Sequence, residues 1–439
     1  MSNDCCEDTD RGSTSGEIPN PNPTDPFDSG INRRRLLKTS GGLGVTAALG
    51  GCLGDSGDAG DPTMLVFNTG DRTVSVIDAE TDELLDSIFI DTTASFPANQ
   101  YTTGTDSDYD IAWLNVSGGV RGFDQNSLEE RAFVETGYGP NYPNVTPDGE
   151  HLVIASGGTT NLPPNPDDPP NHEISRVDAN PESDSFGEVT ARIETDYVGP
   201  CDMTLGPDGE YAFVVDVNGE TLRIVRVDPF ENAALVDVGE SVTNGDVLPF
   251  MCTASFDGEL LLVENGEGEI GPEPDIERVG SESIWDISEP ENPEELTRIT
   301  RDDGLPGAPI TSEVAPDTEA AYLFTPGSGV TVVDLDGERS DVTNTLDIGG
   351  TAISGAWGPN REKLYAPVQD ANQVAVIEHE SRSVVETVEV GEAPTGALAG
   401  TVRPEADAAS RAQASLASLG LSFGQQESTF CMDEHCYCR

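Results

Sequence analysis

The chain has 439 residues, with 81 acidic against 22 basic side chains and a formal charge of −59. A surface that acidic excludes nucleic acid as a partner, because phosphate binding runs on lysine and arginine. Self-repulsion of this size opposes a compact state in dilute buffer, whereas at molar salt the screening length falls to about 3 Å and the repulsion fades.

The first feature in chain order is a local reversal of that charge. Arg33, Arg34, Arg35 and Lys38 fall within six residues and are followed by a short apolar segment, Leu43 to Leu49. That segment is far below the roughly 20 residues that span a bilayer, and the order of basic, apolar and small residues is that of a signal peptide. Asn32-Arg33-Arg34-Arg35-Leu36-Leu37-Lys38 looks like a twin-arginine export signal with Arg33 and Arg34 as the pair, and Leu49-Gly50-Gly51-Cys52 resembles a lipobox. These expectations make residues 1–51 a signal peptide, Cys52 the lipidated residue and 52–63 a flexible Gly/Asp tether.

From Met64 the chain repeats itself, with unit starts near 64, 109, 150, 210, 259, 319 and 363. Each unit holds short β-branched runs separated by turn residues, the last run leading into a Pro-Asp-Gly-like turn. Four strands per unit in seven units predict a seven-bladed antiparallel β-propeller over 64–403, an all-β fold. If the run from Pro394 is the innermost strand of the blade begun at Met64, the two ends of the ring share one sheet.

VFNTGDRTVSVIDAETDELL, VGPCDMTLGPDGEYAFV and LYAPVQDANQVAVIEHESRSVVETVEVGEAPTG resemble the YVTN-type β-propeller repeat family. The likeness covers roughly 64–402. It departs from the pattern in lacking the tetrapeptide itself and in carrying Phe256-Asp257-Gly258 and Pro316-Asp317-Thr318 in place of Pro-Asp-Gly. Acidic excess with only Lys38 and Lys363 as lysines is similar to the proteins of extreme halophiles.

Candidate chemistry falls on cysteines. Two long insertions, 158–172 and 265–281, lie between second and third strands, where scaffold loops usually carry function. Cys201, Asp202 and Cys252 sit in innermost strands of successive blades on that side. The two thiols read as small apolar core residues, as a disulfide, or as a metal or thiol site at the funnel mouth with His172 as a further ligand. At the C-terminus, residues 404–439, an Ala-rich segment predicts a helix from about Glu405 to Leu419. Beyond it Cys431, His435, Cys436 and Cys438 offer soft ligands suited to copper or zinc; the alternative is a disordered tail with paired cysteines.

No nucleophile elbow, phosphate loop or H-E-x-x-H helix appears. The sequence therefore points to a monomeric propeller, exported and held on the outer face of the cytoplasmic membrane by a lipid anchor. It would act there as a binding module for a protein or small-molecule ligand; the alternative is a propeller oxidoreductase or lactonase-type hydrolase with a metal or thiol site at the funnel.

Overall fold

The computed structural model describes residues 62–400 apart from 91–110, 117, 137–140, 158–171, 196–198, 244, 269–278 and 337–338. The export and lipidation residues Arg33, Arg34 and Cys52, the expected helix at 405–419 and the Cys431–Cys438 cluster lie outside the described residues.

Seven antiparallel sheets make seven blades. Blade 1 holds β1 (Thr63–Asn68), β2 (Thr73–Asp78) and β3 (Leu84–Phe89); blade 2 holds β4 (Ile111–Val116), β5 (Gly119–Asp124) and β6 (Glu130–Glu135). Blade 3 runs β7 (Asn141–Val145), β8 (His151–Ser156), β9 (Glu173–Asp178) and β10 (Val189–Glu194). Blade 4 runs β11 (Pro200–Leu205), β12 (Tyr211–Asp216), β13 (Thr221–Arg226) and β14 (Glu231–Asp237). Blade 5 has β15 (Asp246–Ala254), β16 (Leu260–Gly268), β17 (Val279–Asp286) and β18 (Glu294–Ile299). Blade 6 has β19 (Thr311–Val314), β20 (Ala320–Thr325), β21 (Gly329–Asp336) and β22 (Arg339–Leu346). Blade 7 has β23 (Ala356–Trp357), β24 (Lys363–Val368), β25 (Gln373–Glu378) and β26 (Ser383–Glu389). The last strand, β27 (Pro394–Gly400), returns to blade 1 and pairs with β1 from Thr63↔Gly400 to Asn68↔Pro394. This is the closure expected from the sequence, and the seven unit starts fall on the second strands of the blades, within two residues of each.

Alternation explains why the sheets stack. Strand side chains point by turns to the two faces, and every blade is covered on both, so the strands are apolar on both. The core is accordingly a set of layers between blades. Phe213 and Ile224 of blade 4 meet Leu261 and Val263 of blade 5, and Leu262 and Ile284 meet Val314, Ala321 and Leu323 of blade 6. Near the axis, side chains of the innermost strands bond to the backbone of the next blade. Asn144 Nδ2 donates to Met203 O at 2.9 Å, Thr253 Oγ1 to Ser312 O at 2.9 Å, Thr311 Oγ1 to Ile353 O at 2.7 Å and Ser354 Oγ to Thr395 O at 2.9 Å.

The two rims differ. On one, the innermost strand turns into the second through a repeated tight turn in which an aspartate accepts a backbone N–H two residues on, as Asp148 does from Glu150 and Asp257 from Glu259. The second strands all end on the other rim, which carries the connections 157–172 and 269–278 and is called the loop rim below.

Candidate functional site

Cys201 and Cys252 are both fully buried in the layer between blades 4 and 5. The face they share is therefore the packing between blades. They are not bonded to each other: Cys252 is a free thiol, while Cys201 is in a disulfide whose partner lies outside the described residues. Cys252 Sγ approaches Phe213 O at 3.5 Å. Its backbone N–H donates at 3.0 Å to Asp202 Oδ2, so the structure does bring Asp202 and Cys252 together. His172 immediately precedes β9 in blade 3, with its carbonyl accepting from Thr195 N and Oγ1. Burial lowers its pKa, and no described contact brings it to either cysteine. Among the described residues no three His, Cys, Asp or Glu are arranged to hold a metal ion.

The unexpected feature lies beside Cys252, inside blades 4 to 6. Asp202 on β11, Glu264 on β16, Glu282 on β17 and Glu313 on β19 are each at most 1% exposed. Glu264 and Glu282 are direct cross-strand partners. By alternation they share the blade face of Leu262 and Ile284, which packs on blade 6 and so on β19. Ser312 Oγ, also buried, stands beside both. Yet Asp202 Oδ1, both oxygens of Glu264 and of Glu282, Glu313 Oε1 and Ser312 Oγ complete no hydrogen bond.

Elsewhere in the same blades a buried carboxylate is provided for. Asp216 has Arg223 at 2.8 Å and Thr221. Glu267 takes Arg298 at 3.2 Å, Ser241 Oγ at 3.0 Å and the Ser281 hydroxyl. No Arg, Lys or His forms an ion pair with Asp202, Glu264, Glu282 or Glu313 among the described residues.

Removal from water without a cation disfavours the charged form. Burial pushes Asp202 up to about 8, against the pull of two backbone N–H groups. It pushes Glu264 up to about 8 as well, with the Asp202 charge adding to the rise. Glu282 and Glu313 go well above the carboxylate range, by burial first and then by the charge of Glu264. The Cys252 thiol rises likewise, from burial and then from Asp202 and Glu264. At neutral pH the cluster holds protons, and its members are coupled through their charges across blades 4 to 6.

A concavity of about 340 Å³ lies on the loop rim of blades 6 and 7, lined by Gly327, Ser328, Gly329, Thr345, Asp347, Gly350 and Thr351.

No family model matches the chain, and no curated protein matches it. Solved structures do. The periplasmic gluconolactonase of Pseudomonas aeruginosa is similar at 15% identity and a TM-score of 0.59, over 78% of this chain and 99% of that one. A putative 6-phosphogluconolactonase from Bacteroides uniformis is similar at 14% and 0.55, over 77% and 100%. Hydrazine synthase of Kuenenia stuttgartiensis is similar at 17% and 0.53, over 75% and 99%. At such identities the likeness concerns architecture, and what this chain shares with all three is the seven-bladed β-propeller.

Proposed function

We propose that this propeller is a lactonase-type hydrolase working outside the cytoplasmic membrane. The observation that carries the reading is the buried carboxyl cluster of blades 4 to 6, which has no cationic partner among the described residues; its setting, a fold that extends over nearly the whole of a gluconolactonase and a putative 6-phosphogluconolactonase, supports it. Opening a lactone adds water across a ring ester. A base takes a proton from the attacking water, the carbonyl carbon–ring oxygen bond breaks, and an acid protonates the departing oxygen to leave a hydroxy acid. Carboxyls that keep protons at neutral pH suit the acid half of that exchange, and those nearest pH 8, Asp202 and Glu264, take up the base half as pH rises. Export rests on Arg33-Arg34, and lipid anchoring on Leu49-Gly50-Gly51-Cys52.

The test uses the full chain in molar potassium chloride, following acid release from glucono-δ-lactone and its 6-phosphate. Hydrolysis above the spontaneous rate that falls about 100-fold or more in Glu264→Gln is the expected result. Hydrolysis no faster than buffer sinks the reading. One observation favours a second reading, that of a binding module. All four carboxyls are at most 1% exposed, which suits a propeller whose surface loops do the recognising; a lactone-inactive protein that retains a ligand in pull-downs would match it.

A further inference from the structure

We propose that the carboxyl cluster is a proton-held joint between blades 4, 5 and 6, tight while Glu264, Glu282 and Glu313 carry protons and progressively looser as they lose them. The joint is defined by geometry. Its members come from five strands of three blades: Asp202 on β11, Cys252 on β15, Glu264 on β16, Glu282 on β17, and Ser312 and Glu313 on β19. Every one is buried. A neutral carboxyl has one O–H to give and oxygens to receive, so a protonated Glu264–Glu282 pair across β16 and β17 can satisfy itself. Two ionised carboxylates at the same place can only accept, and they repel.

The surrounding charges do not relieve that repulsion. The titratable groups whose charges reach Glu264 are Asp202 from blade 4, the Cys252 thiol on the blade 4 side of β15 and Glu313 on the face of blade 6 that it shares with Tyr322, all of which become more negative or stay neutral as pH rises. The buried arginines of blades 4 and 5, Arg223 and Arg298, are engaged by Asp216 and Glu267. The cluster therefore lacks a fixed positive charge among the described residues, and the proton is what keeps it neutral.

The direction of the pH effect follows from proton linkage. In the closed joint these groups hold protons to about pH 8 or beyond; once opened to water they lose them near pH 4. The closed state thus binds more protons throughout that window. Its contribution is complete below about pH 4 and is lost as pH rises toward 8, and further still for Glu282 and Glu313. Each ionising carboxyl raises the opening constant about tenfold per pH unit across its window. The layers between blades 1, 2 and 3 have no such set among the described residues and stay indifferent.

The experiment is hydrogen–deuterium exchange of the full chain in molar potassium chloride from pH 5 to 9, corrected for intrinsic exchange. Amides of β16, β17 and β19 are compared with those of β1 and β2 in the same molecule. The expected result is protection that falls by tenfold or more per pH unit in the first group while β1 and β2 hold. Glu264→Gln with Glu282→Gln, neutral at every pH, flattens the profile. Cys252 gives a second reading without any substitution, since its labelling by a thiol reagent, located by mass spectrometry, rises with the loss of protection.

Equal loss in all blades, or constant protection in blades 5 and 6, overturns the proposal. So does protection at pH 9 that is restored by millimolar calcium, because a metal cation rather than protons would then neutralise the cluster. None of these readouts depends on lactone hydrolysis, so a failure of the enzymatic reading leaves this test intact.

Discussion

Glu264 and Glu267 lie three residues apart on one strand and so face opposite sides of blade 5. Glu267 meets the guanidinium of Arg298, which also donates to Val238 O and Glu240 O of the preceding blade. Arg298→Ala would leave a fully buried carboxylate unpaired, and we expect a loss of about 3–5 kcal/mol in denaturant unfolding at high salt. Glu282→Gln should do the reverse in alkaline buffer. It removes a group whose ionisation opposes folding, so the variant should match the wild type at pH 5 and exceed its melting temperature at pH 9.

These acids were hard to read from the sequence, because with 81 carboxylates in the chain a glutamate in a strand looks like one more solvated charge. The signal that was present is local. In LLLVEN and SESIWD the alternation puts Glu264 with Leu262 and Glu282 with Ile284, a charged residue on an apolar face. Cys201 and Cys252 drew attention instead because thiols are rare in the chain, and rarity marked their burial.

Among the elements, the turn between the first and second strands shows how a repeat tolerates departures. In blades 3 to 7 the residue closing this turn bonds back three residues, from Gly149, Gly209, Gly258, Thr318 and Arg361. All five have positive φ, from 59° at Thr318 to 72° at Gly258. The Pro316-Asp317-Thr318 departure noted in the sequence thus changes the residue and leaves the turn in place. Thr318 accepts the strain of a left-handed backbone while its side chain reaches Asp257 of the neighbouring blade, and Arg361 stacks on Phe256 at 4.8 Å. Glycine is required where the next blade comes close: a Cβ at Gly209 would stand 2.8 Å from Pro147. Gly209→Ala should therefore cost about 1–3 kcal/mol, whereas Thr318→Gly, trading strain for a lost contact, should stay within about 1 kcal/mol of wild type in the same unfolding assay. Strand positions were legible for a related reason. Turn residues and β-branched runs recur with the blade, while the insertions show no sequence repeat; that expected at 265–281 is cut back to 269–278, because β16 runs on to Gly268 and β17 begins at Val279.

For the whole molecule, charge and closure set the conditions of stability. On the halophilic reading a chain at −59 depends on screening, and dialysis from molar to millimolar salt should abolish the β-sheet circular dichroism. Full ellipticity retained in low salt would refute the halophilic reading. Closure is equally global. Ending the chain at Ala393 deletes β27, leaves β1 without its inner partner and exposes Leu65 and Val66, so cooperative unfolding should be lost.

The same pairing also fixes a direction. Thr63 opens β1 and Gly400 closes β27 opposite it, so the ends of the propeller's first and last strands lie together on the rim opposite the long connections. Eleven residue steps lead from Cys52 to Thr63, a reach of about 36–40 Å when extended. A lipid on Cys52 would moor the ring by that rim, like a buoy on a short line. The loop rim would then look away from the bilayer, toward whatever diffuses past the cell.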